Sequence, residues 1–137
     1  MELNTYLNFD GDCEAAFNYY AKHIGGKVTA LMKFGDSPMA EQIPVDFRDK
    51  IMHGCFDLDG RKLMGTDCTP DHPYQPIHCA HVVLNVEDES KAERIFKALA
   101  EGGDVKMPLQ ETFWAKRYGM TVDRFGVPWM VNCAKPM

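Results

Sequence analysis

The chain has no apolar run approaching the ~20 residues of a membrane-spanning helix. Its polar, acidic start, MELNTYLNFDGD, lacks the basic and apolar regions of a secretory signal peptide. These absences give the expectation of a cytoplasmic protein that does not meet a membrane. There is no excess of positive charge either: 15 Lys and Arg stand against 20 Asp and Glu, a formal net charge of -5. Such a balance disfavours nucleic acid as a partner and suits a small molecule that is uncharged, cationic or locally counter-charged. The five cysteines, Cys13, Cys55, Cys68, Cys79 and Cys133, form no CxxC pair. An odd count without an export signal reads as free thiols, and packing as small hydrophobes is the plain expectation, most firmly for Cys13. Gly-rich phosphate loops, nucleophile elbows and dinucleotide fingerprints are absent, so no cofactor is named by a motif.

What the chain does have is a repeat. CAHVVLNV, residues 79–86, alternates with period two as a strand would: Ala80, Val82, Leu84 and Val86 on one face, Cys79, His81, Val83 and Asn85 on the other. LNTYLNF, residues 3–9, does the same, with Leu3, Leu7 and Phe9 opposite Asn4, Tyr6 and Asn8. At an offset of 77, Leu7 falls on Leu84, Asn8 on Asn85, Ala15 on Ala92, Ala21 on Ala98, Gly25-Gly26 on Gly102-Gly103 and Val28 on Val105. A strand, a helix, a Gly-Gly stop and a new strand therefore occur twice.

The rest of each copy follows from local chemistry. Asp12 is placed to cap a helix whose Phe17, Tyr20, Ala21 and Ile24 form one apolar stripe; Ala92, Ile95, Phe96 and Leu99 repeat that spacing. KVTALMKF reads as a second strand, followed by an irregular insertion, GDSPMAEQIPVDFRDK. IMHGCFDLDGRKLMGTD then reads as a hairpin with a strand through Leu58, a turn at Asp59-Gly60 and a return from Lys62. YGMTVDRFGVPWMVNC repeats it at an offset of 66, with Asp57 and Gly60 answered by Asp123 and Gly126, and Met64 by Met130. The 137 residues thus read as one α+β domain of two strand–helix–strand–strand–strand repeats, about 1–68 and 77–137, joined by a Pro-rich linker, 69–76.

The duplicated unit, FNYYAKHIGG after a short first strand, the QETFWA segment (residues 110–115) and the ending DRFGVPWMVN (residues 123–132) resemble the PhnB-like branch of the vicinal oxygen chelate superfamily. That superfamily includes glyoxalase I, bleomycin resistance proteins and ring-cleaving dioxygenases. The resemblance implies duplicated βαβββ modules whose curved mixed sheets enclose a cavity, in a homodimer. Branch members are often labelled as similar to a demethylubiquinone methyltransferase, a label for which this sequence offers no cofactor motif. In the superfamily's metal enzymes four cavity-facing side chains bind a divalent ion. The matching positions are Asn4, Met64, His81 and Met130, of which only His81 is a conventional ligand. The expectation is therefore a protein without the usual divalent metal and without another cofactor.

His72, His78, Cys79 and His81 are the densest group of possible ligands. Strand parity puts His78 and His81 on opposite faces and separates Cys79 from His81 by about 6.6 Å. His81 is left as the candidate acid/base or recognition group. Asn4, Asn8, Thr66, Asn85 and Asn132 are candidates to orient a small polar ligand, with Gln110 as a further hydrogen-bonding group. Tyr6, Met64, Val83 and Met130 supply an apolar wall, and Trp114, near Glu111 and Tyr118, can stack on a planar ligand. Asp57 and Asp67 make no recognisable acid/base pair. Three functions fit this pattern: binding or conversion of a small organic molecule without metal, antibiotic sequestration of the bleomycin-resistance kind, and metal-dependent lyase, isomerase or dioxygenase chemistry. The missing ligands tell against the last.

Overall fold

The computed structural model describes residues 1–136; Met137, read above as the end of the second repeat, lies outside the described residues. The chain divides into two units, Met1–Gln75 and Pro76–Met137. The first contains β1 (Thr5–Phe9), α1 (Cys13–His23), β2 (Lys27–Lys33), β3 (Ile51–Leu58) and β4 (Arg61–Asp67). The second contains β5 (Val82–Asn85), α2 (Glu89–Ala100), β6 (Asp104–Gln110), β7 (Ala115–Val122) and β8 (Pro128–Ala134). Each unit is a βαβββ module with one mixed four-stranded sheet, in the orders β1-β4-β3-β2 and β5-β8-β7-β6. The first strand of each module runs parallel to the last, and the other pairs are antiparallel. The α+β class and the duplication are thus as the sequence indicated.

In the first module the stripe of α1 lies on the sheet: Cys13, Ala16, Phe17 and Tyr20 are buried with Leu7, Phe9 and Phe56. Phe17 meets Phe9 edge-on at a centroid distance of 5.6 Å. Two glycines make room for it, since a Cβ on Gly54 or Gly65 would lie 3.2 or 3.0 Å from the Phe17 ring. Each fully buried phenylalanine contributes roughly 1.5–3 kcal/mol. Leu7, Phe9, Gly54, Phe56, Gly65 and Asp67 therefore mark the helix side of the sheet. Period two turns Tyr6, Asn8, His53, Cys55, Met64 and Thr66 to the other side. The second module follows the same plan, with Ala92, Ile95, Phe96 and Leu99 of α2 buried with Trp129 and Val131. Arg117 ties its sheet to α2 through Glu89 at 3.0 Å and Glu93 at 3.2 Å.

Several expectations change. Asp12 occupies the N-cap position of α1, yet its side chain makes no capping hydrogen bond. The buried carboxylate of Asp67 does so instead, accepting from the Cys13 N–H at 2.9 Å and the Ile51 N–H at 2.8 Å. In α2, by contrast, Asp88 is the cap and accepts from the Lys91 N–H at 3.2 Å. Leu3 is not on the core face but 100% exposed, because β1 begins its register with β4 only at Thr5↔Leu63. The strand expected over 79–86 is shorter, Val82–Asn85. Cys79 takes a φ of 57°, a left-handed conformation that ends an extended run, and Ala80 is exposed rather than core. The insertion after β2 contains three short 3₁₀ turns, Phe34–Asp36, Ala40–Gln42 and Val45–Phe47.

Candidate functional site

The face of each sheet away from its helix carries the candidate residues. In the first module β1 and β4 set Tyr6 beside Met64 and Asn8 beside Thr66, while β3 sets Cys55 beside Met64. The Tyr6 hydroxyl lies 3.4 Å from His53 Nδ1, and the two rings stack with centroids 6.0 Å apart. Burial raises the Tyr6 pKa; nearby Cys13 adds to this and a hydrogen bond with Thr66 opposes it. The Thr66 hydroxyl donates to the Ile51 carbonyl at 3.2 Å. Asn4 precedes β1 and is exposed, as is Asn8.

His53 was not among the residues the sequence singled out. The signal was present, because alternation along IMHGCFDL places His53 and Cys55 opposite Gly54 and Phe56, and so on the face of Tyr6.

In the second module the same face carries two linked pairs. Asn132 Nδ2 donates to Asn85 Oδ1 at 3.1 Å across the parallel β5–β8 pair. The Tyr118 hydroxyl donates to Met130 Sδ at 3.3 Å. Tyr118 is the register partner of both Asn132 and Gln110, and Val83 is that of Met130. Asn132 Oδ1 is buried without a hydrogen-bond partner among the described residues. Trp114 packs edge-on against Tyr118 at 5.3 Å and against Phe113 at 4.7 Å, and Phe113 is 89% exposed. The segment turns on Thr112, whose Oγ1 accepts from the Ala115 N–H at 3.0 Å. His81 stands just before β5 and is exposed; neither it nor His78 nor Cys79 lies in the strand. The parity used to separate these three residues therefore does not apply to them.

Asp57 and Asp67 are structural. Asp57 Oδ1 accepts from the Gly60 N–H at 2.9 Å in the β3–β4 turn. Asp123, its counterpart, accepts from the Phe125 and Val127 N–H groups, each at 2.9 Å, and from Trp129 Nε1 at 2.8 Å. Glu111 is held in an ion pair with Lys135 at 3.1 Å. A polar recess at the start of α1, lined by Asp12, Glu14, Asn18, Asp49 and Lys50 among others, holds none of the candidate residues.

The four positions that the resemblance matched to metal ligands divide two and two: Asn4 and Met64 in the first module, His81 and Met130 in the second. An amide, two thioethers and one imidazole do not fit a hard or borderline divalent ion. The Met130 sulfur, moreover, accepts the Tyr118 hydroxyl. Among the described residues no three His, Cys, Asp or Glu side chains converge to hold a metal ion. No helix among them is long and apolar enough to cross a membrane.

Known proteins share this architecture. The chain is 34% identical over 143 residues to the protein YjdN of Escherichia coli K12, covering 98% of this chain and 97% of that protein. Protein PA1353 of Pseudomonas aeruginosa, a crystal structure, is 47% identical with a TM-score of 0.90 over 99% of each chain. A putative 3-demethylubiquinone-9 3-methyltransferase, PhnB protein, of Bacillus cereus matches with a TM-score of 0.82 at 23% identity, over 98% of this chain and 100% of that one. Residues 1–132 match the model of the 3-demethylubiquinone-9 3-methyltransferase family. The chain belongs to that family.

Proposed function

We propose that the protein binds or converts a small organic molecule on the helix-free face of its second module, without the divalent metal of its superfamily and without another cofactor. The observation that carries this reading is the pairing of Asn85 with Asn132 beside Tyr118 and Met130. Polar groups at fixed spacing set in an apolar wall orient a ligand rather than merely hold it. Asn132 Oδ1, a buried acceptor without a donor, is costly as it stands and is relieved by a ligand N–H or O–H. Gln110 and Trp114 adjoin Tyr118, and His81, just before β5, is our candidate to move a proton if a reaction follows. The transferase activity in the family's name forms no part of this reading. Asn4, Tyr6, Asn8, Met64 and Thr66 contribute a comparable face in the first module. A homodimer is part of the proposal, and light scattering of the purified protein tests it.

A second reading, sequestration of a planar antibiotic, is favoured by one feature. Phe113, Trp114 and Tyr118 form a continuous aromatic set, which holds a flat molecule by stacking and needs no reacting group.

The chain has two tryptophans: Trp129 is 1% exposed and Trp114 is 44% exposed. Trp114 therefore reports binding through its fluorescence. A library of metabolites and cationic antibiotics is titrated, with thermal shift as a second readout. Metabolites that quench the exposed emission and lose affinity at least tenfold in Asn132→Ala support the first reading. Antibiotics alone doing so support the second. Near-stoichiometric Zn, Ni, Mn or Fe in the purified protein contradicts the metal-free proposal. A His81→Ala variant with unchanged binding and turnover removes His81 from the site.

A further inference from the structure

A second cluster of chemically capable side chains lies in the first module, where Tyr6 and Met64 already belong to the proposed ligand face but His53 has no role assigned above. The Tyr6 hydroxyl stands 3.4 Å from His53 Nδ1 across the sheet, with the two rings inclined at 30°. Both residues are open to solvent, Tyr6 at 46% and His53 to an intermediate degree. Among the described residues His53 makes no other hydrogen bond that would occupy Nε2. Met64 is the register neighbour of both Tyr6 and Cys55, so an apolar strip of thioether and thiol adjoins the pair.

We propose that Tyr6 and His53 form a ligand-recognition pair in which the Tyr6 hydroxyl donates to Nδ1. The imidazole is then left presenting Nε2–H to a carbonyl or carboxylate oxygen of a small molecule whose apolar body lies on Met64. The direction of the bond follows from the two groups. A neutral phenol has one O–H to give, and of its two partners here, the Thr66 hydroxyl and His53 Nδ1, the unprotonated imidazole nitrogen is the stronger acceptor. Burial favours the neutral phenol further. Once Nδ1 accepts, the only proton on the neutral ring is on Nε2, and the tautomer is fixed by the neighbour. Tyr6 is thus a positioning residue and His53 the group that meets the ligand. The site takes an acceptor beside an apolar or planar body, and discriminates against an ammonium. The inference rests on the first-module part of the proposed function and deepens it; its test reads Tyr6 and His53 alone, so it can fail while binding at Asn85 and Asn132 in the second module stands.

The test has a ligand-free arm and a ligand arm, both on the full chain. Long-range proton–nitrogen spectra of uniformly ¹⁵N-labelled protein are recorded in mildly alkaline buffer, with His53 assigned by its loss in His53→Ala. The expected result is an unprotonated Nδ1 and a protonated Nε2 in the unmodified chain, with Tyr6→Phe drawing the two shifts together as the tautomers mix. A protonated Nδ1, or shifts unchanged by Tyr6→Phe, overturns the proposal. In the second arm benzoate and benzylamine are titrated as probes. Benzoate is expected to move the His53 Nε2 signal, to bind at least tenfold more weakly to His53→Ala, and to bind severalfold more weakly to Tyr6→Phe. Benzylamine is expected to leave that signal in place. Equal perturbation by benzylamine, or benzoate binding indifferent to His53→Ala, rejects the assigned chemistry.

Discussion

Asp67, the last residue of β4, caps the helix that begins at Cys13: its Oδ1 accepts from the Cys13 N–H at 2.9 Å and its Oδ2 from the Ile51 N–H at 2.8 Å. One carboxylate therefore satisfies two buried donors, at the start of α1 and the start of β3, while the adjacent Asp12 side chain makes no capping hydrogen bond.

Asp67→Ala leaves both donors without a partner in a region where Asp67 itself is 2% exposed. Hydrogen bonds to a charged group are worth about 1.5–3 kcal/mol each when broken at one end, and they share one carboxylate here. The expected loss is about 3–4 kcal/mol, read from denaturant unfolding followed by circular dichroism. A loss below about 1 kcal/mol, the scale of an exposed cap, would show that the helix start is satisfied in another way.

The same contact governs Cys13. Burial, then the negative charge of Asp67, then Asp12 and Glu14, push its thiol pKa far above the ordinary 9.0. A thiol that is harder to ionise folded than unfolded adds stability that is fully present below pH 9 and is lost as pH rises beyond it. Stability is expected to fall by up to about 1.4 kcal/mol per pH unit above pH 9, and Cys13→Ala is expected to flatten that slope. An unchanged slope in the variant would assign the loss to other groups. In the native state at neutral pH a thiol reagent should label exposed Cys79 and spare Cys13, which is wholly buried.

Gly54 and Gly119 lie beneath the helix phenylalanines of their modules, Phe17 and Phe96, but with different neighbours. For a Cβ on Gly54 the nearest atoms are side-chain atoms, of Phe17 at 3.2 Å and Leu31 at 3.3 Å. On Gly119 it meets Phe96 at 2.9 Å and the Leu109 backbone at 3.0 Å. Side chains give way and backbone does not, so Gly119→Ala should cost about 2–3 kcal/mol and Gly54→Ala about 1 kcal/mol. Thermal unfolding of the two variants settles the order, and equal losses would refute the distinction.

What the sequence disclosed and what it concealed divide by distance along the chain. The stripes Phe17–Tyr20–Ile24 and Ala92–Ile95–Phe96–Leu99 are buried as their spacing predicts, and Gly25 and Gly26 adopt the positive φ that stops a helix. The turn expected at Asp59-Gly60 lies between β3 and β4, closed by Asp57 accepting from the Gly60 N–H. All of these are matters of a few residues. The cap of α1 was assigned to Asp12 because it is adjacent, whereas the group that serves comes from β4. His53 went unnoticed because its partner Tyr6 lies two strands away in the sheet. Strand ends failed for a related reason: the alternation at Cys79 and Leu3 continues in the sequence after the register partners have run out. The pairing of Tyr118 with Met130 and of Asn85 with Asn132 needed the register of β5, β7 and β8, although both asparagines were recognised as site residues.

The adjacency of first and last strands in each module also sets an order of assembly. Thr5 and Leu63, partners in the parallel pair, are 58 residues apart (63 − 5), and β1 has no neighbour in its sheet other than β4. While the chain is being synthesised, the β2–β3 hairpin can form early, but β1 must wait for the module's final strand. Closing so large a loop is slow compared with local pairing. A chain halted before β4 keeps an unpaired, partly apolar strand and a helix whose cap has not yet been made. The first module is then completed in one late event, in which the strand that pairs with β1 also delivers the carboxylate that fixes the start of α1.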